Sequence, residues 1–103
     1  MTKQPYRGEA QERGYRVILA LAGNEFLGLL PGEVAKKLDV SPSLITKDLR
    51  VLQAAGLAEQ IQETGRWRLG PKLIQIAVAF QVHLDDSRRR LDEVHQRYTR
   101  TPN

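Results

Sequence analysis

The sequence contains no cysteine among its 103 residues, and it has only one tryptophan and one methionine. The absence of cysteine excludes disulfides, thiolate catalysis and cysteine-ligated zinc. The longest apolar run, Val17 to Ala22, is far shorter than the roughly 20 residues that a membrane span needs. No apolar signal segment follows the first residues, which are polar. We therefore expect a cytoplasmic protein that does not bind membranes.

Signs of catalysis are also missing. His83 and His95 lie on one helical segment, and neither has a partner at metal-ligand spacing apart from Asp92, three residues before His95. There is no nucleophile motif, no glycine loop that would cradle a phosphate and no HExxH. The sequence predicts a protein that is not an enzyme and that carries no metal or cofactor.

Positive charge is in moderate excess. Lys and Arg number 16 against 12 for Asp and Glu, which gives a formal net charge of +4. A basic balance suits a polyanionic partner, because contacts with phosphates release counterions. The length corresponds to about one domain, and 41% hydrophobic residues allow a compact core.

Apolar periodicity and turn residues predict helices and strands in a definite order. Three helices are expected over 9–22, 31–38 and 42–55, two strands over 57–62 and 66–69, and a long helix after Pro71. The apolar run 26–30 suits a small strand or an extended lead-in. Ser41 has the character of an N-cap, with Pro42 at the first helical position. This order is that of a winged helix, a mostly α fold with a small β-wing.

The third helix, 42–55, has two different faces. At 100° per residue, Ile45, Leu49 and Leu52 form a core seam. The opposite face is polar and has no carboxylate at its centre, so it suits a DNA major groove. The residues expected at DNA there are Ser41, Ser43, Thr46, Lys47 and Arg50. The alternative for this face is an ordinary solvated surface, which the preceding short helix and turn make less favourable because together they form a helix-turn-helix.

The wing, 57–69, supplies a second basic feature. Arg66 and Arg68 alternate with Trp67, so both arginines are expected on one side, contacting phosphates, while Trp67 packs on the third helix. A charged strand edge that prevents aggregation is the alternative. Asp48 departs from the pattern, because it falls on the buried flank of the third helix. Either Asp48 is paired with a cation, for which an arginine of the first helix such as Arg16 is a candidate, or it lies at the margin of the core, because an unpaired buried carboxylate is costly.

These segments resemble a known family. The run from Arg66 to Leu73, after Gly56-Leu57-Ala58-Glu59, is similar to the wing and exit of the IclR-type DNA-binding domain, and residues 30–38 and 43–49 are similar to its helix-turn-helix. The resemblance covers about residues 13–77. It implies a regulator that binds operator DNA as a dimer. The family normally continues into a C-terminal effector domain that this sequence does not contain, so no small-molecule effector site is expected.

The last helix shows a heptad pattern. Positions that are all apolar except Ser87 recur at spacings of four and three over nearly four repeats, at Leu73, Ala77, Phe80, Leu84, Ser87, Leu91, Val94 and Tyr98. A helix of this length extends about 40 Å, so its far half needs a partner, and a second copy of the chain is the simplest one. Dimerisation is predicted through Phe80, Leu84, Leu91, Val94 and Tyr98, with a helix break near 85–87 left open.

The sequence therefore predicts a flexible arm at 1–8, a winged helix-turn-helix at 9–72 and a dimerisation helix at 73–100. The function predicted is that of a homodimeric regulator that binds duplex DNA in a sequence-specific way. The alternative is a winged-helix module that binds protein, such as an anti-repressor or an assembly subunit, and does not bind DNA.

Overall fold

The computed structural model describes residues 6–100, so the first five residues of the predicted arm lie outside the described part of the chain. Six elements follow one another. They are α1 (Glu9–Leu21), α2 (Pro31–Leu38), α3 (Pro42–Ala54), β1 (Ala58–Gln60), β2 (Trp67–Leu69) and α4 (Pro71–Thr99). The order is the predicted one. The architecture through β2 is a mostly α winged helix with one small hairpin.

The first helix begins after Gly8, with Glu9 and Glu12 in its first turn. Arg7 binds Glu12 across 2.8 Å, and this hydrogen bond holds the pKa of Glu12 below its ordinary value. Acidic residues in the first turn also stabilise a helix, because they interact favourably with the positive end of its dipole. In the segment 26–30, expected as a small strand or an extended lead-in, residues 26–27 form a turn and the rest leads into α2. Its only ladder contact within the described chain is a bridge between Leu29 and Trp67.

The second and third helices are joined by a tight turn. Asp39 adopts the left-handed conformation at φ 56°, which ends α2 and lets the chain reverse. The Ser41 hydroxyl accepts a hydrogen bond from the Leu44 amide at 3.4 Å, and Pro42 occupies the first position of α3. The predicted cap is therefore present, and it fixes where α3 starts.

The wing is an antiparallel hairpin in which Ala58 pairs with Leu69, Glu59 with Arg68 and Gln60 with Trp67. Both strands are shorter than predicted. The hairpin joins the rest of the fold closely at Gly70, where an added Cβ would lie 2.3 Å from the carbonyl oxygen of Gly56. Only glycine permits such an approach.

The core of the winged helix is one apolar cluster that all three helices and the hairpin share. Its members are Val17, Ala20, Leu21, Val34, Ala35, Leu38, Ile45, Leu49, Leu52, Ala58 and Trp67. The predicted seam of α3 is thus buried, with Ile45 and Leu49 fully inaccessible. Burial of this face leaves the opposite face of α3 available for a partner.

The chain divides into two compact units, one through Leu73 and one from Ile74 onward. In the second unit α4 is continuous through 85–87, so the break left open from the sequence is not present. Arg89 forms an ion pair with Asp86, and Gln81 donates to Asp85 at 3.1 Å along the same helix. None of the side chains of α4 is buried, and large apolar groups remain exposed on it.

Candidate nucleic-acid interface

The polar face of α3 is exposed as predicted. Ser43, Thr46, Lys47 and Arg50 are all accessible, whereas the neighbouring Ile45 and Leu49 are buried. Within the described residues, neither Lys47 nor Arg50 is in an ion pair with a carboxylate. The face therefore offers uncompensated positive charge on a rigid element.

Three hydroxyl groups lie at the beginning of this face and are held locally. The Ser41 and Ser43 oxygens are 3.3 Å apart, while the Ser41 oxygen caps the helix. The Thr46 hydroxyl donates its proton to the carbonyl of Pro42 at 3.0 Å. Because this bond uses the Thr46 proton within the helix, Thr46 is a poorer donor to phosphate than Ser43.

Arg50 is held in place by two side chains. Its guanidinium carbon lies 5.4 Å from the ring centroid of Trp67, and its Nη1 donates to the side-chain oxygen of Gln53 at 3.2 Å. A guanidinium over an indole ring is an attractive arrangement. Trp67 itself is only 2% exposed, so the predicted core role of this tryptophan on the third helix is confirmed. The stack fixes Arg50 without removing it from the surface.

The buried carboxylate of Asp48 is paired, although not with the expected residue. Arg13 donates to it through two nitrogens, with Nε 2.5 Å from one oxygen and Nη2 3.0 Å from the other. The partner is an arginine of the first helix, but it is not the candidate Arg16, which donates instead to the carbonyl oxygen of Leu38 at 2.8 Å. The two arginines are three residues apart on one side of α1, so the sequence pattern did not distinguish them.

The Arg13–Asp48 pair is the main polar link between α1 and α3. Hydrogen bonding to Asp48 raises the pKa of the Arg13 guanidinium above its ordinary value. A bidentate contact of this kind fixes the orientation of the two side chains as well as their distance. The pair thus sets the position of α3 relative to α1.

Both wing arginines are already bound to carboxylates. Arg66 lies 3.0 Å from Glu33, at the start of α2, and Arg68 lies 2.7 Å from Glu59 on the facing strand. The observed register of the hairpin places Glu59 opposite Arg68, which accounts for the second pair. The first pair joins residues far apart in sequence, and no local pattern indicated it.

Residues 6–100 hold no group of three or more His, Cys, Asp or Glu side chains placed to bind a metal ion. Across the same residues, none of the helices is both long enough and apolar enough to span a lipid bilayer.

Among the residues predicted for dimerisation, Phe80, Leu91, Val94 and Tyr98 are exposed and Leu84 is half-buried. They lie along α4, within the second unit of the chain.

Known proteins with related sequence and structure were compared with the chain. No family model matches it. The chain is 38% identical over 53 residues, 52% of its length, to the HTH-type transcriptional regulator BhcR of Paracoccus denitrificans. An IclR family transcriptional regulator from Brucella abortus superposes with a TM-score of 0.66 over 78% of the chain at 19% identity. The chain has a winged-helix fold, which it shares with this IclR family regulator.

A further structural neighbour of the chain is the S. aureus MepR F27L mutant bound to an oligodeoxyribonucleotide, with a TM-score of 0.52 and 24% identity. It covers 80% of this chain and 62% of the MepR chain. The present chain spans 19% of the length of BhcR and 30% of the Brucella protein. These similarities concern the winged helix and its fold, and they agree with the resemblance found in the sequence.

Proposed function

We propose that this chain is a sequence-specific regulator of transcription that binds duplex DNA as a homodimer, in the cytoplasm. The observation that carries the proposal is the exposed face of α3, where Lys47 and Arg50 have no carboxylate partner among the described residues. A related regulator, BhcR, and a DNA-bound neighbour, MepR, support the same function. In this arrangement α3 enters the major groove and the hairpin lies along the backbone.

The chemistry of each side chain suggests its contact. The fork of Arg50 matches the two acceptors on the major-groove edge of guanine. Lys47 is a single mobile cation that reaches a base or a phosphate. Thr46, whose proton is used within the helix, is suited to a thymine methyl group, and Ser41 and Ser43 are suited to phosphate oxygens.

The wing contributes through an exchange of partners. Arg66 and Arg68 would release Glu33 and Glu59 and bind phosphates in their place. Exposed ion pairs are each worth only about 0–1 kcal/mol, so the exchange is inexpensive. The gain is correspondingly small, because the released carboxylates then lie near the DNA.

Dimerisation follows from α4. Phe80, Leu84, Leu91, Val94 and Tyr98 would pack against the same residues of a second copy, as heptad positions do in paired helices. A symmetric pair presents two copies of α3 to half-sites about 34 Å apart, one turn of DNA. A bound sequence with two-fold symmetry is therefore expected.

Selection of bound duplexes from a random pool, followed by anisotropy titrations at fixed salt, tests the proposal. Arg50→Ala and Lys47→Ala should each weaken binding to the selected site by about tenfold, the lower range for loss of a specific base contact. Arg88→Ala removes an equal charge from exposed α4 and serves as the matched control. Unchanged affinity in both α3 variants, with folding verified by circular dichroism, would contradict the proposal.

One observation favours the alternative of a protein-binding module. Phe26 is 96% exposed next to Leu27, and Leu19 is exposed at the end of α1. Salt dependence separates the two functions, since DNA affinity falls steeply as salt rises. A protein-binding module would show no duplex binding at any salt concentration.

A further inference from the structure

A groove of about 430 Å³ lies between α1 and α3, within the winged-helix unit. Apolar side chains form most of its walls, with Tyr15 and Ile18 on α1 and Val51 and Leu52 on α3. Pockets that hold small organic ligands have volumes of roughly 300–1,000 Å³ and are lined in the same way, with few polar groups. We call this feature the α1–α3 groove.

Gly14 indicates that the groove is kept open. It lies inside α1 and lines the groove, although glycine lowers helix stability relative to alanine. A Cβ added there would meet no other atom within 4 Å, so packing within the chain does not require glycine. The missing side chain instead leaves room for an occupant that approaches α1 closely.

The charges of the groove indicate the kind of occupant. Arg13 and Asp48 line it, but their charges neutralise each other in the bidentate ion pair. Lys47 also lines the groove and is exposed, and it takes part in no ion pair among the described residues. The groove thus combines apolar walls with one unbalanced positive charge.

We propose that the α1–α3 groove binds a small amphipathic anion, such as a carboxylate on an aromatic or branched apolar body. The apolar body lies against Tyr15, Ile18 and Val51, and the carboxylate binds Lys47. A second copy of the chain fits less well, because it would cover Lys47 permanently and remove it from the face that we assign to DNA. A ligand that dissociates leaves Lys47 available to DNA in its absence.

Regulation follows from this placement, and that part rests on the proposed function. DNA and the anion compete for Lys47, so each weakens the binding of the other. If the anion binds only the free protein, the apparent affinity for DNA falls in proportion to the occupancy of the groove. The winged helix would then carry its own effector site.

The anion 8-anilinonaphthalene-1-sulfonate, whose fluorescence rises in apolar sites, is the probe for the first test. Gly14→Leu fills the groove and should weaken probe binding by about tenfold or more, the loss expected when an apolar body is excluded. Gly14→Ala, which favours the helix and adds only one methyl group, should weaken probe binding less than Gly14→Leu does. Lys47→Gln should also weaken binding, whereas Lys37→Gln, an exposed lysine outside the groove, should not.

Should Gly14→Leu fail to fold, Val51→Phe fills the groove from α3, where Val51 is 62% exposed. Probe affinity that is the same in every folded variant would overturn the proposal, since it would mean adhesion to apolar surface elsewhere. A second outcome would also overturn the proposal. If sedimentation showed that Gly14→Leu turns a dimer into a monomer, and if the probe bound only monomers, the groove would be an interface between two copies of the chain.

The second test adds the selected duplex, with the probe as competitor. Displacement of DNA by the probe from the wild type, but not from Gly14→Leu, is the expected result. Because probe binding is measured first without DNA, a protein that binds the probe but no duplex would leave the groove assignment intact and contradict only the proposed function. A protein that binds both at once, without competition, would contradict the regulatory part.

Discussion

The third helix and the wing carry the same kind of charge in different surroundings. On α3, Lys47 and Arg50 have no acidic partner among the described residues, while in the hairpin Arg66 and Arg68 are bound to Glu33 and Glu59. A count of basic residues would treat the two regions as equal. Of these two regions, only α3 has basic side chains without acidic partners, whereas the basic side chains of the hairpin are paired.

The two regions also differ in how their cations are oriented. Arg50 is stacked on the ring of Trp67 and bonded to Gln53, so a planar group is presented in a fixed direction. Orientation matters for reading a base edge, but it matters less for a phosphate, which accepts hydrogen bonds from many directions. We therefore expect specificity to come from α3 and a smaller, salt-sensitive contribution from the wing.

The largest effect is expected when the support of α3 is removed. Asp48→Ala leaves the Arg13 guanidinium without its partner and releases α3 from α1. The melting temperature should fall by about 5 °C or more, and DNA affinity should fall with it, as thermal circular dichroism and anisotropy would show. The double variant Arg13→Leu with Asp48→Leu should be more stable than Asp48→Ala, because no charge is then left unpaired. If the single variant is fully stable, the pair does not hold α3.

A charge-conserving change compares the two regions directly. Arg50→Lys keeps the positive charge but loses the fork, so affinity for the selected duplex should fall about tenfold. Arg68→Lys, the matched change in the wing, should alter affinity less than about threefold. If both variants lowered the affinity equally in competition titrations, the proposed difference between base recognition by α3 and charge contacts by the wing would be wrong.

A smaller effect, of opposite sign, is expected from the acids of the wing. Glu33→Gln frees Arg66, so binding should tighten by about twofold to threefold. The slope of log affinity against log salt should steepen by up to about 0.9 for the added phosphate contact. Glu63→Gln changes an exposed acid that is in no ion pair of the described chain and is the matched control. A salt slope the same as in the wild type would mean that Arg66 stays away from DNA.

The smallest effect is spectroscopic. Trp67 is the sole tryptophan, and Arg50 lies over its ring. If Arg50 moves to a base on binding, duplex DNA should change the Trp67 emission of the wild type. In Arg50→Ala that change should be absent at saturating DNA. The same emission change in both proteins would show that the stack does not respond to DNA.

The sequence predicted the parts of the fold that depend on local chemistry. The bounds of α2, the cap at Ser41 and the apolar seam at Ile45 follow from spacing and from proline and serine preferences, and the structure has all three. The strands came out shorter than predicted, because β-propensity does not mark where pairing stops. Their ends are set by contacts such as the bridge from Leu29 to Trp67.

The candidate site was predicted only in part, for a physical reason. Exposure of Lys47 and Arg50 follows from helical periodicity, which a sequence displays. The partners of Asp48 and Arg66 depend on how α1 and α2 pack against distant segments, and periodicity carries no information about that. The groove beside Gly14 was not predicted either, because it also depends on how distant segments pack. In addition, the family resemblance placed any effector site in another domain.

Trp67 has a consequence for how the domain could adjust to different DNA. Its backbone exchanges hydrogen bonds with Leu29, its ring supports Arg50, and its neighbours complete the hairpin. One residue thereby connects the segment before α2, the third helix and the wing. To fit a duplex with a wider or narrower groove, these three segments would have to tilt together. The wing could not move by itself without displacing the indole ring of Trp67 from the core.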